Sequence, residues 1–336
     1  MIRFAIVGYG FMGITHATQI VNHPDAELVA VADQDAQKFK QATQGNIGSS
    51  SNADLLAGIP QFDDFSAMIN SVSIDCVSIC LPTHLHRQLA VQALDAGLHV
   101  ICEKPMALTL ADCDAMIEAA ERNQRQLFVA QCLRFWPEYE VLKSCIDSSE
   151  LGRLQSLLMR RVSAPPFWSG QDSWFASAQK SGGCLFDLHV HDIDFIQYAL
   201  GRPAALFSQG LDSPSGLNHS LMTQYVYEPS LLCVAEGSWN YPAGFKMSYT
   251  ALFEKGLLEY DCTQTPTLRL LRTGDQEATA VEIAPGDGYG REYDYFIRCL
   301  ADDARGERMT PESARQSIEL ALAEKESMQK NGLIRL

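Results

Sequence analysis

Three groups of residues in this 336-residue chain have types and spacings that support chemistry. The first is Glu103-Lys104-Pro105, directly after a strand-like apolar run at 98–102. Open α/β sheets bind ligands at the carboxyl ends of their strands. A lysine at that edge can donate to a substrate oxygen and stabilise developing alkoxide charge. A surface Lys–Glu pair is the alternative reading. The second group lies in Gly182-Gly183-Cys184-Leu185-Phe186-Asp187-Leu188-His189-Val190-His191-Asp192-Ile193-Asp194. Asp187 and His191 are four apart, which on a helix puts them on one face, and Asp194 continues that face. A carboxylate beside an imidazole fixes its tautomer and raises its basicity, as a general base requires. A solvated polar face, or a divalent ion held by Asp187, His191 and Asp194, stays open at this point. His189 falls on a different face and is expected to be structural.

The third group is Gly8-Tyr9-Gly10-Phe11-Met12-Gly13, which follows an apolar strand and opens a helix. Gly8 permits a tight turn, Gly10 lets the backbone approach a pyrophosphate, and Gly13 lets helix and strand pack closely. Phe11 and Met12 begin the helix, whose free N–H groups and positive end suit an anion. Asp33 ends the second strand, 20 residues beyond Gly13, where a carboxylate takes the adenosine ribose hydroxyls. NAD is therefore the expected cofactor. Lys38 and Lys40 read as a solvated face of the next helix and keep NADP open. Leu81 ends another strand at the same sheet edge, and Thr83 and His86 follow it; all three are candidates to border the nicotinamide, with a helix cap or a packed histidine as the plain reading of the latter two. Arg134, Trp136, Trp168 and Trp174 are candidates to hold or stack on a sugar-like substrate, although aromatics at such spacings are more often core.

These residues need elements to position them. Strand and helix patterns alternate through the first 132 residues: strands at 2–7, 27–32, 76–81, 98–102 and 127–132, helices at 11–22, 34–43, 67–71, 86–96 and 110–123, and a Gly/Ser/Asn-rich loop at 45–51. Repeated βα units imply a doubly wound parallel sheet, the α/β Rossmann class. After 132 the rhythm changes. Helices are expected at 138–146 and 185–200 and a strand at 154–162. Closely spaced strands follow at 221–227, 231–239, 246–253, 257–260, 268–272 and 278–283, with closing helices at 292–300 and 311–330. The reading is a dinucleotide-binding domain over 1–125 and an α+β domain over 126–336 with a large, mostly antiparallel open sheet.

Composition narrows the classes. A net charge of -15 repels nucleic acid and anionic membrane surfaces. No apolar run approaches the ~18 residues of a membrane span, and no secretory signal is visible. The ten cysteines show no CxxC pair or zinc-type Cys/His spacing, so no metal site is expected and reduced thiols in the cytoplasm are the reading.

The order GYGFMG, Asp33, LPTHLH at 81–86, CEKP at 102–105 and GGCLFDLHVHDID at 182–194 resembles the glucose-fructose oxidoreductase / inositol dehydrogenase / MocA family. The EKP motif combined with the later D-x-x-x-H is far more specific than the glycine turn. The resemblance implies hydride transfer between NAD(P) and a secondary hydroxyl or ketone of a sugar, inositol or related polyol, in homodimers or homotetramers built on the open sheet. It implies that the second domain serves substrate binding and oligomerisation. It implies Lys104, Asp187 and His191 as catalytic residues, His191 being the acid/base, with Glu103 on the nicotinamide ribose and a cis Lys104–Pro105 peptide. Cys184 stands where a third glycine is common. The family also holds NAD-dependent, redox-neutral glycoside hydrolases and non-enzymatic dinucleotide-sensing regulators. The latter do not need Lys104, Asp187 and His191 together.

Overall fold

A computed structural model describes residues 1–40, 43–45, 48–50, 55–166, 170, 173–213, 216–228 and 231–336. In chain order the elements are β1 (Ile2–Val7), α1 (Phe11–Asn22), β2 (Ala26–Ala32), β3 (Thr43–Gly45), β4 (Gly48–Ser50), β5 (Gln61–Phe62), α2 (Phe65–Ser71), β6 (Cys76–Ile79), α3 (His86–Asp95), β7 (His99–Glu103), α4 (Leu110–Arg122) and β8 (Leu127–Ala130). There follow α5 (Pro137–Ser148), β9 (Leu154–Ser163), α6 (Ala178–Ser181), α7 (Val190–Leu200), β10 (Ala205–Asp212), β11 (Asn218–Tyr227), β12 (Leu231–Ser238), β13 (Phe245–Phe253), β14 (Gly256–Asp261), β15 (Leu268–Arg272), β16 (Thr279–Ala280), α8 (Gly288–Ala301), α9 (Pro311–Lys330) and β17 (Ile334–Arg335).

The chain forms two compact units, Met1–Gln131 with Tyr289–Ile318, and Cys132–Gly288 with Glu319–Leu336. The sequence reading cuts the chain once, near residue 125; the compact units add a return of 289–318 to the first. That return has an apolar cause. Phe296 of α8 stacks on Phe128 at 4.8 Å between ring centres, and Tyr293 lies 6.3 Å from Phe4. Both α8 rings are fully buried.

The first unit is built on a six-stranded sheet in the order β5-β2-β1-β6-β7-β8. All five pairings are parallel. Strands covered by helices on both faces must be apolar throughout, and β6 is buried at every residue. The crossover helices carry their own start signals: Asp64 caps α2 and Thr109 caps α4 through side-chain oxygens. Two expectations change here. Only a short 3-10 turn, Ala36–Phe39, occupies the described part of the helix placed at 34–43. Within the loop placed at 45–51, Gly48–Ser50 pairs with Thr43–Gly45 as a small antiparallel ribbon.

The second unit carries a nine-stranded sheet, β16-β15-β14-β13-β9-β12-β11-β10-β17. Every pairing is antiparallel except β9 with β12. Side chains alternate across it. Leu157, Met159, Tyr225, Cys233, Ala235, Tyr249 and Ala251 face one way and are buried. Strand β10 has no clear alternation in sequence and was not anticipated; it joins through eight paired positions with β11.

Buried ion pairs fasten α7 in this unit. Arg161 of β9 donates to both Asp192 oxygens at 2.9 and 3.2 Å, with both side chains at most 4% exposed. Burial opposes the charge on Arg161, but Asp192 outweighs it and holds the guanidinium pKa above its ordinary value. Removing one partner strands the other charge. Asp192→Ala is expected to cost about 3–5 kcal/mol of folding stability, read from urea unfolding. A midpoint within error of the parent would show that the pair does not hold α7.

Candidate active site

The cofactor end of the site grows from backbone packing in the first unit. Gly8 has φ +90°, and a Cβ there would overlap the Cys80 carbonyl. A Cβ at Gly13 would overlap the Gly8 carbonyl oxygen, so α1 rests directly on the turn that precedes it. At Gly10 a Cβ would meet nothing within 4 Å. Gly10 is the N-cap of α1, no side chain caps it, and the first turn holds no acid. The first bond of the helix runs from the Ile14 N–H to the Gly10 carbonyl, leaving the Phe11, Met12 and Gly13 N–H groups ahead of it. An open, uncapped helix start beside a glycine is what a pyrophosphate requires.

Asp33 is 6% exposed at the end of β2. Its Oδ2 accepts from the Tyr9 N–H at 2.7 Å and its Oδ1 from the Asp35 N–H at 2.9 Å. The carboxylate is therefore fixed against the glycine turn itself. Lys38, read from sequence as a solvated side chain, instead reaches both Asp33 oxygens at 3.1 and 3.0 Å. The lysine side chain is 41% exposed, so this partner is the displaceable one.

The other predicted cofactor residues line the same sheet edge. Leu81 packs against the Gly8 turn, and Thr83 is buried in the 3-10 turn Thr83–Leu85. His86 is committed inward. Its ring nitrogens lie 2.9 Å from the Pro105 carbonyl oxygen and 2.8 Å from that of Leu81, and burial lowers its pKa. It ties the end of β6 to the loop after β7. Glu103, the last residue of β7, is buried; on the loop after it Lys104 is half-buried, and the Lys104–Pro105 peptide is cis. Glu103 Oε2 accepts from the Lys104 N–H at 3.1 Å. Its Oε1 lies 3.0 Å from Nε2 of His16 on α1, a residue that sequence reasoning passed over.

In the second unit Gly182 and Gly183 are both left-handed, at φ 75° and 73°. Side chains there would meet Phe186 and Asn218. The segment after them starts as a wide π turn, Leu185–His189, before α7 becomes regular. Such turns recur at functional sites. Asp187 and His191 are each half-buried. Their neighbours are not available to a ligand. His189 is fully buried, with Nε2 3.3 Å from Glu324 Oε2, a charge contact without hydrogen-bond alignment. Asp194 takes Arg134 with both oxygens, at 2.8 and 2.6 Å, in a pair at most 3% exposed. That pair commits the Asp194 carboxylate to Arg134 and ties the guanidinium, expected from sequence to face a substrate, to α7. Trp136 is half-buried at the start of α5, packed on Gly288. Trp174 stacks on Phe175 at 3.9 Å. Trp168 lies outside the described residues.

Asp33→Ala is expected to raise the Kd for NADH about tenfold or more, with a smaller loss for NADPH, in a fluorescence titration. An unchanged NADH Kd would take Asp33 out of the site.

Comparison with known proteins gives the arrangement its context. Residues 2–131 match the model described as the GFO/IDH/MocA oxidoreductase family, NAD-binding Rossmann fold, and residues 139–259 match the GFO/IDH/MocA C-terminal domain. The chain is 24% identical to a myo-inositol 2-dehydrogenase of Thermotoga maritima, over 99% of this chain and 98% of that protein. In fold it is similar to an aldose-aldose oxidoreductase of Caulobacter crescentus crystallised with glycerol, with a TM-score of 0.85, 19% identity and coverage of 100% and 99% of the two chains. It is also similar to the WlbA dehydrogenase of Bordetella pertussis in complex with NADH and UDP-GlcNAcA, with a TM-score of 0.80, 23% identity and coverage of 100% and 98%. The glycine turn with Asp33, the Glu103-Lys104-Pro105 loop and the matches along both units lead to one assignment: the chain belongs to the GFO/IDH/MocA family of oxidoreductases, with an NAD-binding Rossmann fold.

Proposed function

We propose that the chain oxidises a secondary hydroxyl of a sugar, inositol or related polyol, or reduces the corresponding ketone, with NAD as the hydride partner. The observation that carries this reading is Lys104, half-buried at the carboxyl end of β7, in the same unit and on the same sheet edge as the uncapped start of α1. The named relatives support the substrate class: one is an inositol dehydrogenase and another was solved with a nucleotide sugar acid.

Bound NAD supplies the hydride acceptor, and the chain supplies everything else. Lys104 donates to the substrate oxygen and stabilises the charge that develops on it. His191 accepts the hydroxyl proton, and Asp187 steadies the resulting imidazolium. In the reductive direction His191 returns that proton. Half-burial suits both side chains, since each must meet a ligand while remaining held by its element.

Lys104→Ala is expected to leave NADH binding intact and to lower kcat by about 10²–10³. His191→Ala is expected to lower it by about 10²–10⁴. The measurement is NADH fluorescence against a panel of polyols, sugars and sugar acids, with NAD and NADP in parallel. Unchanged turnover in Lys104→Ala would sink the assignment. Sugar consumed without net NADH would point to a redox-neutral cycle.

We also infer a homodimer or homotetramer formed through the open face of the nine-stranded sheet. By strand register, Leu158, Leu211, Met222, Leu232 and Leu252 share that face, and they are 40–65% exposed. Arg160 and Glu236 pair among them at 2.8 Å. Exposed apolar side chains grouped on one sheet face mark an interface. Leu232→Glu is expected to yield a folded, smaller species by light scattering; a monomeric parent chain would overturn this inference. Cytoplasmic residence accords with ten free thiols, and among the described residues no helix is long and apolar enough to cross a membrane.

A further inference from the structure

Inside the first unit lies a buried polar chain that the mechanism above does not use. His16, on the face of α1 that packs against the sheet, is fully buried. Its Nε2 is 3.0 Å from Glu103 Oε1, and its Nδ1 is 2.6 Å from Ser78 Oγ and 3.3 Å from Cys80 Sγ. The Tyr293 hydroxyl donates to Ser78 Oγ at 3.0 Å, and the edge of its ring meets the imidazole at 5.0 Å. Glu103 passes the connection on, because its second oxygen takes the Lys104 N–H.

The donor logic of this chain is closed. An ionised carboxylate can only accept, so Nε2 of His16 must carry the proton that faces Glu103. Nδ1 then either accepts from Ser78 or, in the imidazolium, donates to Ser78 or Cys80. Both states keep the Nε2–H to Glu103 bond. Burial works against charge on His16, but Cys80 and Glu103 outweigh it and hold its pKa well above the ordinary value. The bond therefore does not depend on which state is present.

We propose that His16 is a positioning residue for the reaction: it couples the helix that receives the dinucleotide to the loop that carries Lys104, by fixing the Glu103 carboxylate. Three observations support it. His16 lies one turn from Gly13 on α1, so it moves with the pyrophosphate site. Glu103 is the last residue of β7, next to Lys104. The carboxylate is held from both sides, by an imidazole and by a backbone N–H, so loss of the imidazole frees one oxygen in a buried setting. The proposal rests on NAD binding at this edge and uses the polyol reading only for the kinetic arm of its test.

The experiment is an NADH fluorescence titration of purified parent, His16→Leu and His16→Gln proteins, each checked by circular dichroism, followed by steady-state kinetics. His16→Leu is expected to raise the NADH Kd about tenfold and to lower kcat at saturating cofactor about tenfold, with little change in KM for the sugar. His16→Gln, whose amide can still donate to Glu103 and meet Ser78, is expected to recover most of both. A folded His16→Leu protein that binds NADH within twofold of the parent would overturn the proposal. If His16→Leu does not fold, a double-mutant cycle decides. His16→Asn, whose shorter amide falls short of Glu103, should weaken NADH binding less in a Glu103→Gln background than in the parent, and strictly additive effects would overturn the idea. The titration needs no substrate, so failure of every sugar to react would refute the polyol reading and leave this result interpretable.

Discussion

The first unit depends on one backbone contact. α1 sits so close to the turn before it that a methyl group on Gly13 would overlap the Gly8 carbonyl, and Gly8 is itself pressed against Cys80 at the end of β6. Everything at the cofactor end follows from that closeness. It aims the uncapped start of the helix at the sheet edge, brings the Tyr9 N–H onto Asp33, and lowers His16 far enough into the sheet to reach Glu103. A bulkier residue at Gly13 would disturb the pyrophosphate site and the Lys104 loop together.

The second unit uses charge where the first uses backbone proximity. α7 is held by Arg134 on Asp194 and Arg161 on Asp192, all four side chains buried. Buried pairs add little net stability compared with apolar packing, but a helix with a misplaced register would strand two guanidinium groups. They therefore fix the rotation of the segment that presents Asp187 and His191. The π turn ahead of α7, entered through two left-handed glycines, adds to the same local geometry.

Much of this was legible in the sequence because local rules govern it. The alternation of βα units, the glycine turn and the closing helix Pro311–Lys330 after Thr310 have signals within a few residues of one another. The parts that escaped depend on partners far away in the chain. His16 and Glu103 are 87 positions apart, and Arg134 and Asp194 are 60 apart. Nothing near Arg134 distinguishes a guanidinium facing a sugar from one facing a buried carboxylate. Lys38 is a different case: Asp33 is only five positions away, but the 3-10 turn that brings the two together replaces the regular helix expected there. Strand β10 lacks alternation because its second half, although paired with β11, is exposed at every residue from Gln209 to Asp212.

The two ends of the large sheet are also informative. Its outermost strands, β16 and β17, are two residues long, and each covers only part of its neighbour. Beyond β17 the open edge of β10 is taken in part by α9, whose Ser327 Oγ accepts from the Ser208 N–H, and it ends in the exposed, charged Asp212, devices by which sheets avoid open-ended growth. These features disfavour edge-to-edge addition of a second copy, in keeping with the proposed association through the broad face. Face-to-face pairing of like surfaces is closed by a twofold axis and stops at a small, finite assembly. In the proposed assembly the two-residue rim strands would then stand at its boundary and not at a seam.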